Sequence, residues 1–121
     1  MESVAPLYVG IDVAKAKLDV ALDADGEVFE VTNDPIGLTR LIDRLKSQVV
    51  ALVALEASGG YEALAVATLG AAGFPVALVN PRQVRDFARS TGRLAKTDAI
   101  DAKLLARFAV TIKPRVTALV H

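Results

Sequence analysis

Val49-Val50-Ala51-Leu52-Val53-Ala54-Leu55 is an unbroken apolar run that ends on one acid, Glu56. Its valines favour extended backbone, and the lack of polar alternation marks a strand covered on both faces. Such a strand sits inside a sheet with helices above and below it. Upstream, Leu7–Val13 reads as another apolar, β-branched strand, and Lys17–Leu22 alternates Lys17 and Asp19 against Leu18 and Val20. Asp25-Gly26 is a turn signal, and Val28–Thr32 follows as a third strand, so an antiparallel meander opens the chain. Asp34 before Pro35 is a helix start, and Ile36, Leu38, Leu41, Ile42 and Leu45 recur at helical spacing up to Ser47.

Downstream of the run, Gly59-Gly60 ends the exit loop. Residues 61–72 read as an alanine- and leucine-rich helix closed by Gly73 and Pro75, and Val76–Val79 is a short fifth strand. Asn80-Pro81 opens a helix to about Thr91, Gly92 breaks it, and a last helix is expected from Thr97 to about Phe108. Strands that alternate with helices after a meander give a mixed sheet with helices on its faces. The ribonuclease H-like α/β arrangement satisfies this order. In it the first and fourth strands are parallel neighbours, so Asp12 and Glu56 meet at their carboxyl ends.

Composition bounds the function. The 121 residues suit one domain, and 53% are hydrophobic, yet no apolar run approaches the ~20 residues of a membrane span. There are no cysteines, which excludes disulfides and thiolate metal sites, and residues 1–6 lack the blocks of a signal peptide. A cytoplasmic protein with no membrane partner is expected. The formal net charge is zero but unevenly spread: acids outnumber bases through Gly60, and bases outnumber acids after it. That asymmetry suits a polyanionic partner as well as an ordinary solvated surface.

Four acids carry the chemical reading. Strand alternation puts Asp12 on the same face as Gly10, and Glu56 closes an otherwise apolar strand. Asp98 and Asp101 are one helical turn apart, and on a helical wheel they point the same way as Leu104, Leu105 and Phe108, with Lys103 and Arg107 opposite. Two inward carboxylates beside two more at strand ends repel unless cations or protons compensate them. Mg²⁺ or Mn²⁺ fits an all-carboxylate site. Each acid also has a plainer reading: a solvated strand end for Asp12 and Glu56, and a first-turn cap for Asp98.

Arg82, Arg85 and Arg89 recur on one side of the helix that starts at Asn80, with Val84, Phe87 and Ala88 turned away. They read either as a solvated surface or as a track for a nucleic-acid backbone, which Arg93, Lys96 and Lys15 would extend. Gly59-Gly60 matches no nucleotide-binding fingerprint and reads as a tight strand-to-helix turn, with Tyr61 packing at the helix start. His121 has no partner spacing.

Val9-Gly10-Ile11-Asp12-Val13-Ala14-Lys15, Leu55-Glu56-Ala57-Ser58-Gly59-Gly60-Tyr61-Glu62, Val79-Asn80-Pro81-Arg82-Gln83-Val84-Arg85-Asp86-Phe87-Ala88 and Lys96-Thr97-Asp98-Ala99-Ile100-Asp101-Ala102 resemble the successive motifs of the DEDD insertion-sequence transposases, the insertion sequence one-ten family. The resemblance spans residues 8–108. It implies a RuvC-like domain with the tetrad Asp12, Glu56, Asp98 and Asp101, binding Mg²⁺ or Mn²⁺ for strand cleavage and exchange in DNA transposition. It also implies DNA, a structured guide RNA and further copies of the chain as partners. Family proteins continue into a C-terminal domain that supplies a catalytic serine. Residues 1–121 are therefore expected to be the N-terminal catalytic domain alone, from a truncated gene or an excised domain, and inactive by themselves. Ser58 and Ser90 are not given the nucleophile's part. Two alternatives stand beside this reading: a non-catalytic module that binds nucleic acid or dimerises, and an actin-like ATPase or kinase fragment.

Overall fold

The computed structural model describes residues 5–92 and 100–117. Among the described residues, five strands and four helices follow one another as β1 (Leu7–Val13), β2 (Lys17–Leu22), β3 (Val28–Thr32), α1 (Pro35–Lys46), β4 (Val50–Glu56), α2 (Ala63–Ala71), β5 (Val76–Val79), α3 (Pro81–Ser90) and α4 (Ala102–Ile112). They form one mixed sheet in the order β3-β2-β1-β4-β5. The meander β1-β2-β3 is antiparallel, while β4 runs parallel to both β1 and β5. The expected ribonuclease H-like α/β architecture is present.

Local chemistry fixes the element ends. Asp34 caps α1 by accepting from Gly37 N at 2.8 Å, and Asn80 caps α3 by accepting from Arg82 N at 2.8 Å, each ahead of a proline that cannot donate. Helix α2 is shorter than expected: Tyr61 lies outside it, 48% exposed, so it does not pack at the helix start.

The last helix departs more. Its onset was expected at Thr97, but Ile100 and Asp101 are not helical, and Asp101 is the N-cap of α4, accepting from Leu104 N at 2.8 Å. The apolar periodicity of Leu104, Leu105 and Phe108 extends backwards as smoothly through Ala99 as through Ala102, so it could not reveal that the Asp101 side chain ends the helix. Leu105 and Phe108 are buried as anticipated, whereas Asp101 is exposed rather than turned inward. Residues 97–99, and with them the expected place of Asp98, lie outside the described residues.

The sheet separates two cores. On one face Val9, Ile11, Leu18, Val20, Val53 and Leu55 meet Leu38, Leu41, Leu45 and Leu69 of α1 and α2. On the other, Leu52, Ala54, Ala77 and Val79 meet Val84 of α3 and Leu105 and Phe108 of α4. Here α4 lies almost on the backbone of β1. A Cβ at Gly10 would come within 2.1 Å of Ala102 O and 2.4 Å of Ala106 N, so only glycine permits the contact. No helix among the described residues is long and apolar enough to cross a membrane.

Candidate metal and nucleic-acid site

The close fit at Gly10 positions the candidate site. Two residues further along the same face of β1 is Asp12, half-buried, and Ala102, which touches Gly10, follows Asp101 directly. The parallel register pairs Gly10 with Ala54 and Ile11 with Leu55, so the next step brings Asp12 alongside Glu56. The first and fourth strands thus deliver two carboxylates to one end of the sheet, and α4 delivers a third nearby. Asp98 falls outside the described residues.

The strand pairing brings one more acid that sequence reasoning did not single out. Asp19 of β2 is the cross-strand partner of Asp12. It had looked like the polar half of an alternating strand. The available signal was the hairpin register, because Asp12 and Asp19 stand at equal distances from the intervening turn. Lys17 partly neutralises this edge, with its Nζ 3.3 Å from Glu30 and 3.8 Å from Asp19.

Electrostatics report the crowding. Burial pushes the Asp12 carboxyl above its ordinary value, the charges of Asp19 and Asp101 push it further, and Lys17 opposes them. Glu56 is likewise raised, first by burial and then by the charge of Asp12, with Arg85 acting in the opposite direction. Glu56 Oε2 is buried and, among the described residues, accepts no hydrogen bond. A buried carboxylate oxygen without a donor is costly unless something else satisfies it. Among the described residues, no group of three acidic, histidine or cysteine side chains is close enough to hold a metal ion, and Asp101 Oδ1 is taken by the capping bond to Leu104 N.

The loop leaving β4 has its own organiser, also missed in the sequence. Glu62 Oε1 accepts from Ser58 N at 3.0 Å, Gly60 N at 3.0 Å and Ser58 Oγ at 3.3 Å, which holds the Glu62 carboxyl below its usual range. Gly59 and Gly60, at φ +71° and +106°, supply the left-handed turn that lets the chain fold around that carboxylate. Asn33 ties this loop to the end of β1, donating to Tyr61 O at 3.0 Å and Ala14 O at 2.8 Å.

The basic residues divide. On α3, Arg82 and Arg89 are exposed, with Arg89 3.5 Å from Asp86, whereas Arg85 is half-buried and its charge reaches Glu56. Lys15 is exposed in the loop after β1. Arg93 and Lys96 lie outside the described residues.

Known proteins resemble this chain in sequence. A family model of the DEDD IS110 type, described as a transposase, matches residues 9–119. The insertion element IS116 uncharacterized 44.8 kDa protein of Streptomyces clavuligerus is 35% identical over 104 residues, covering 83% of this chain and 26% of that protein. The chain spans about a quarter of the length of this curated relative. With nearly its whole length matched, its acids on adjoining parallel strands and its mixed five-stranded sheet, the chain belongs to the IS110-type DEDD transposase family.

Proposed function

We propose that this chain supplies the acidic metal-binding part of a DNA transposase or recombinase, with Asp12 and Glu56 as the core of the site and Asp98 and Asp101 completing it. The observation that carries the reading is the donorless buried oxygen of Glu56 beside a second carboxylate raised by burial and like charge. Protons or a cation would relieve such a pair, and at neutral pH a hard divalent cation is the fitting relief. The donor set fits Mg²⁺ or Mn²⁺. Mg²⁺ is commonly held by only one or two carboxylates, with waters and substrate phosphates filling the remaining positions, so two strand-borne ligands suffice as a core.

When bound, such a cation would stabilise negative charge on the attacking and leaving oxygens of a phosphodiester. The chain's own part is to hold the carboxylates on rigid strand ends, to fix α4 against β1 through Gly10, and to present cations around the strand. Arg82, Arg85 and Arg89, with Lys15, Arg93 and Lys96, would hold the backbone by charge rather than by sequence. Ser58 is engaged with Glu62 and is not proposed as a nucleophile. That group is assigned to a further, C-terminal domain of the whole protein. Strand exchange, a structured guide RNA, assembly of several copies and a cytoplasmic setting belong to this proposal on family membership.

A Mn²⁺ titration of the chain, followed by its melting temperature, tests the metal site. Ligand binding to the folded state should raise the melting temperature, by about 2.7 kcal/mol of added stability at a hundredfold excess over Kd. Asp12→Asn and Glu56→Gln should each weaken the response. A wild-type melting curve that ignores Mn²⁺ both with and without a DNA duplex present would overturn the reading.

A further inference from the structure

Arg85 is set apart from its neighbours by the path of the chain. Strand β5 ends at Val79, in register with Glu56 of β4, and the Asn80 cap turns the chain straight into α3. Val84 packs into the cluster that holds Leu52, Val79 and Leu105, and Ala88 is buried one turn later, so the rotation of α3 is fixed. The residue after Val84 then borders the acidic site half-buried, while Arg82 and Arg89 remain exposed. Its charge favours ionised Glu56, which Asp12 disfavours. Among the described residues Glu56 Oε2 nevertheless accepts no hydrogen bond, so on that oxygen the guanidinium acts through charge alone.

We propose that Arg85 is a resident counter-charge of Glu56 that gives way to a divalent cation and then takes a phosphate of the bound strand. The inference rests on the metal reading above and adds a coupling to it. A cation arriving at Glu56 repels the guanidinium, and a phosphate drawn to that cation offers this planar fork two non-bridging oxygens as a bidentate acceptor. Metal and strand therefore favour each other through this one side chain, and the coupling is reciprocal.

The test measures Mn²⁺ affinity without DNA, and affinity for a short mixed-sequence duplex in Mn²⁺ and in EDTA. Wild type is compared with Arg85→Ala, Arg85→Lys and Arg82→Ala. Removing the competing charge in Arg85→Ala should tighten Mn²⁺ binding about three- to tenfold, the range open to a half-buried charge pair. Arg85→Lys, which keeps the charge, should stay near wild type. In Mn²⁺, Arg85→Ala should weaken duplex binding about tenfold, as expected for a lost charge-assisted hydrogen bond, with a much smaller loss in EDTA. Arg82→Ala should weaken binding equally in both.

If Arg85→Ala does not fold, Arg85→Gln takes its place. Unchanged or weaker Mn²⁺ affinity in the charge-removing variant, or an equal loss of duplex binding with and without metal, overturns the proposal and leaves Arg85 as one more backbone contact. A wild-type chain that binds no Mn²⁺ either alone or with the duplex present overturns the metal reading itself, and the proposal with it, so the two failures are distinguishable.

Discussion

The two faces of the sheet are built on different plans. Under α1 and α2 the interface is made of large aliphatic side chains, Ile11, Leu18, Leu38, Leu41, Leu45, Leu55 and Leu69 among them. Under α4 its centre is Gly10, Ala21, Ala102 and Ala106, small enough that helix and strand backbones nearly touch. The first plan buries apolar area, the main favourable contribution to folding. The second sacrifices area for proximity and places the acids at the end of the same strands. One face is therefore expected to carry stability and the other the site, and substitutions can separate them.

The largest effect should come from the aliphatic face. Leu41 is fully buried in α1, and Leu41→Ala should cost about 2–5 kcal/mol, the range for a buried leucine that leaves a cavity. The Mn²⁺ response of the folded protein should survive, because α1 lies across the sheet from the acids. Urea unfolding with and without Mn²⁺ gives both quantities.

Gly10→Ala should cost a comparable amount, about 3 kcal/mol at the upper end of ordinary overpacking, since the atoms it meets are backbone and α4 must move as a whole. Its signature is different. The added methyl meets Ala102 O and Ala106 N, so any shift carries Asp101 away from Asp12, and the Mn²⁺ midpoint should rise along with the loss of stability. If Gly10→Ala loses stability but keeps its Mn²⁺ midpoint, proximity of α4 is irrelevant to the site and the two-plan comparison fails.

Asn80→Ala should cost about 1 kcal/mol, the usual worth of an N-cap side chain, through the lost bond to Arg82 N. Because α3 carries Arg85, fraying of its first turn should also soften the salt dependence of duplex binding. A thermal melt beside a salt titration reads both.

These differences explain what the sequence disclosed. The aliphatic face announced itself: β1 and β5 follow from apolar runs, β2 from alternation and β3 from the turn before it, and Asp34-Pro35 marked α1 because cap and proline are local signals. Asp12 and Glu56 were legible because each interrupts an apolar strand at its end. Asp19 and Glu62 were not, and Arg85 was legible only as one of a basic row and not as a neighbour of Glu56, since each depends on a partner distant in space or on a loop path. Asp19 needs the hairpin register, Glu62 the fold of its own loop, and Arg85 the pairing of Glu56 with Val79. Asp101 misled because a carboxylate that caps a helix and one inside its first turn look alike in a periodic pattern.

The smallest effect is the pH dependence, and it should differ in sign between the two sides. Asp34 at the start of α1 is held below its ordinary value by the Gly37 N–H and the Thr32 hydroxyl, and Glu62 at the start of α2 by the backbone donors of its loop. A carboxyl lowered in the folded state binds fewer protons there than when unfolded, so its contribution is present above the ordinary carboxylate range and is lost as pH falls through the lowered value. Asp12 and Glu56 are raised, so the folded state holds their protons more tightly. Their contribution is full below the ordinary range and is lost as pH rises through the raised values. In EDTA, therefore, Asp34→Ala should flatten the acid limb of a plot of melting temperature against pH. Asp12→Asn should flatten the limb above the carboxylate range and raise the melting temperature at neutral pH by relieving repulsion. Saturating Mn²⁺ should reverse the order of wild type and Asp12→Asn, because the charge that destabilises the metal-free protein then holds the cation. If Asp12→Asn is less stable than wild type in EDTA at neutral pH, the Asp12 carboxylate is satisfied by protein groups, and the acidic face has no need of a cation.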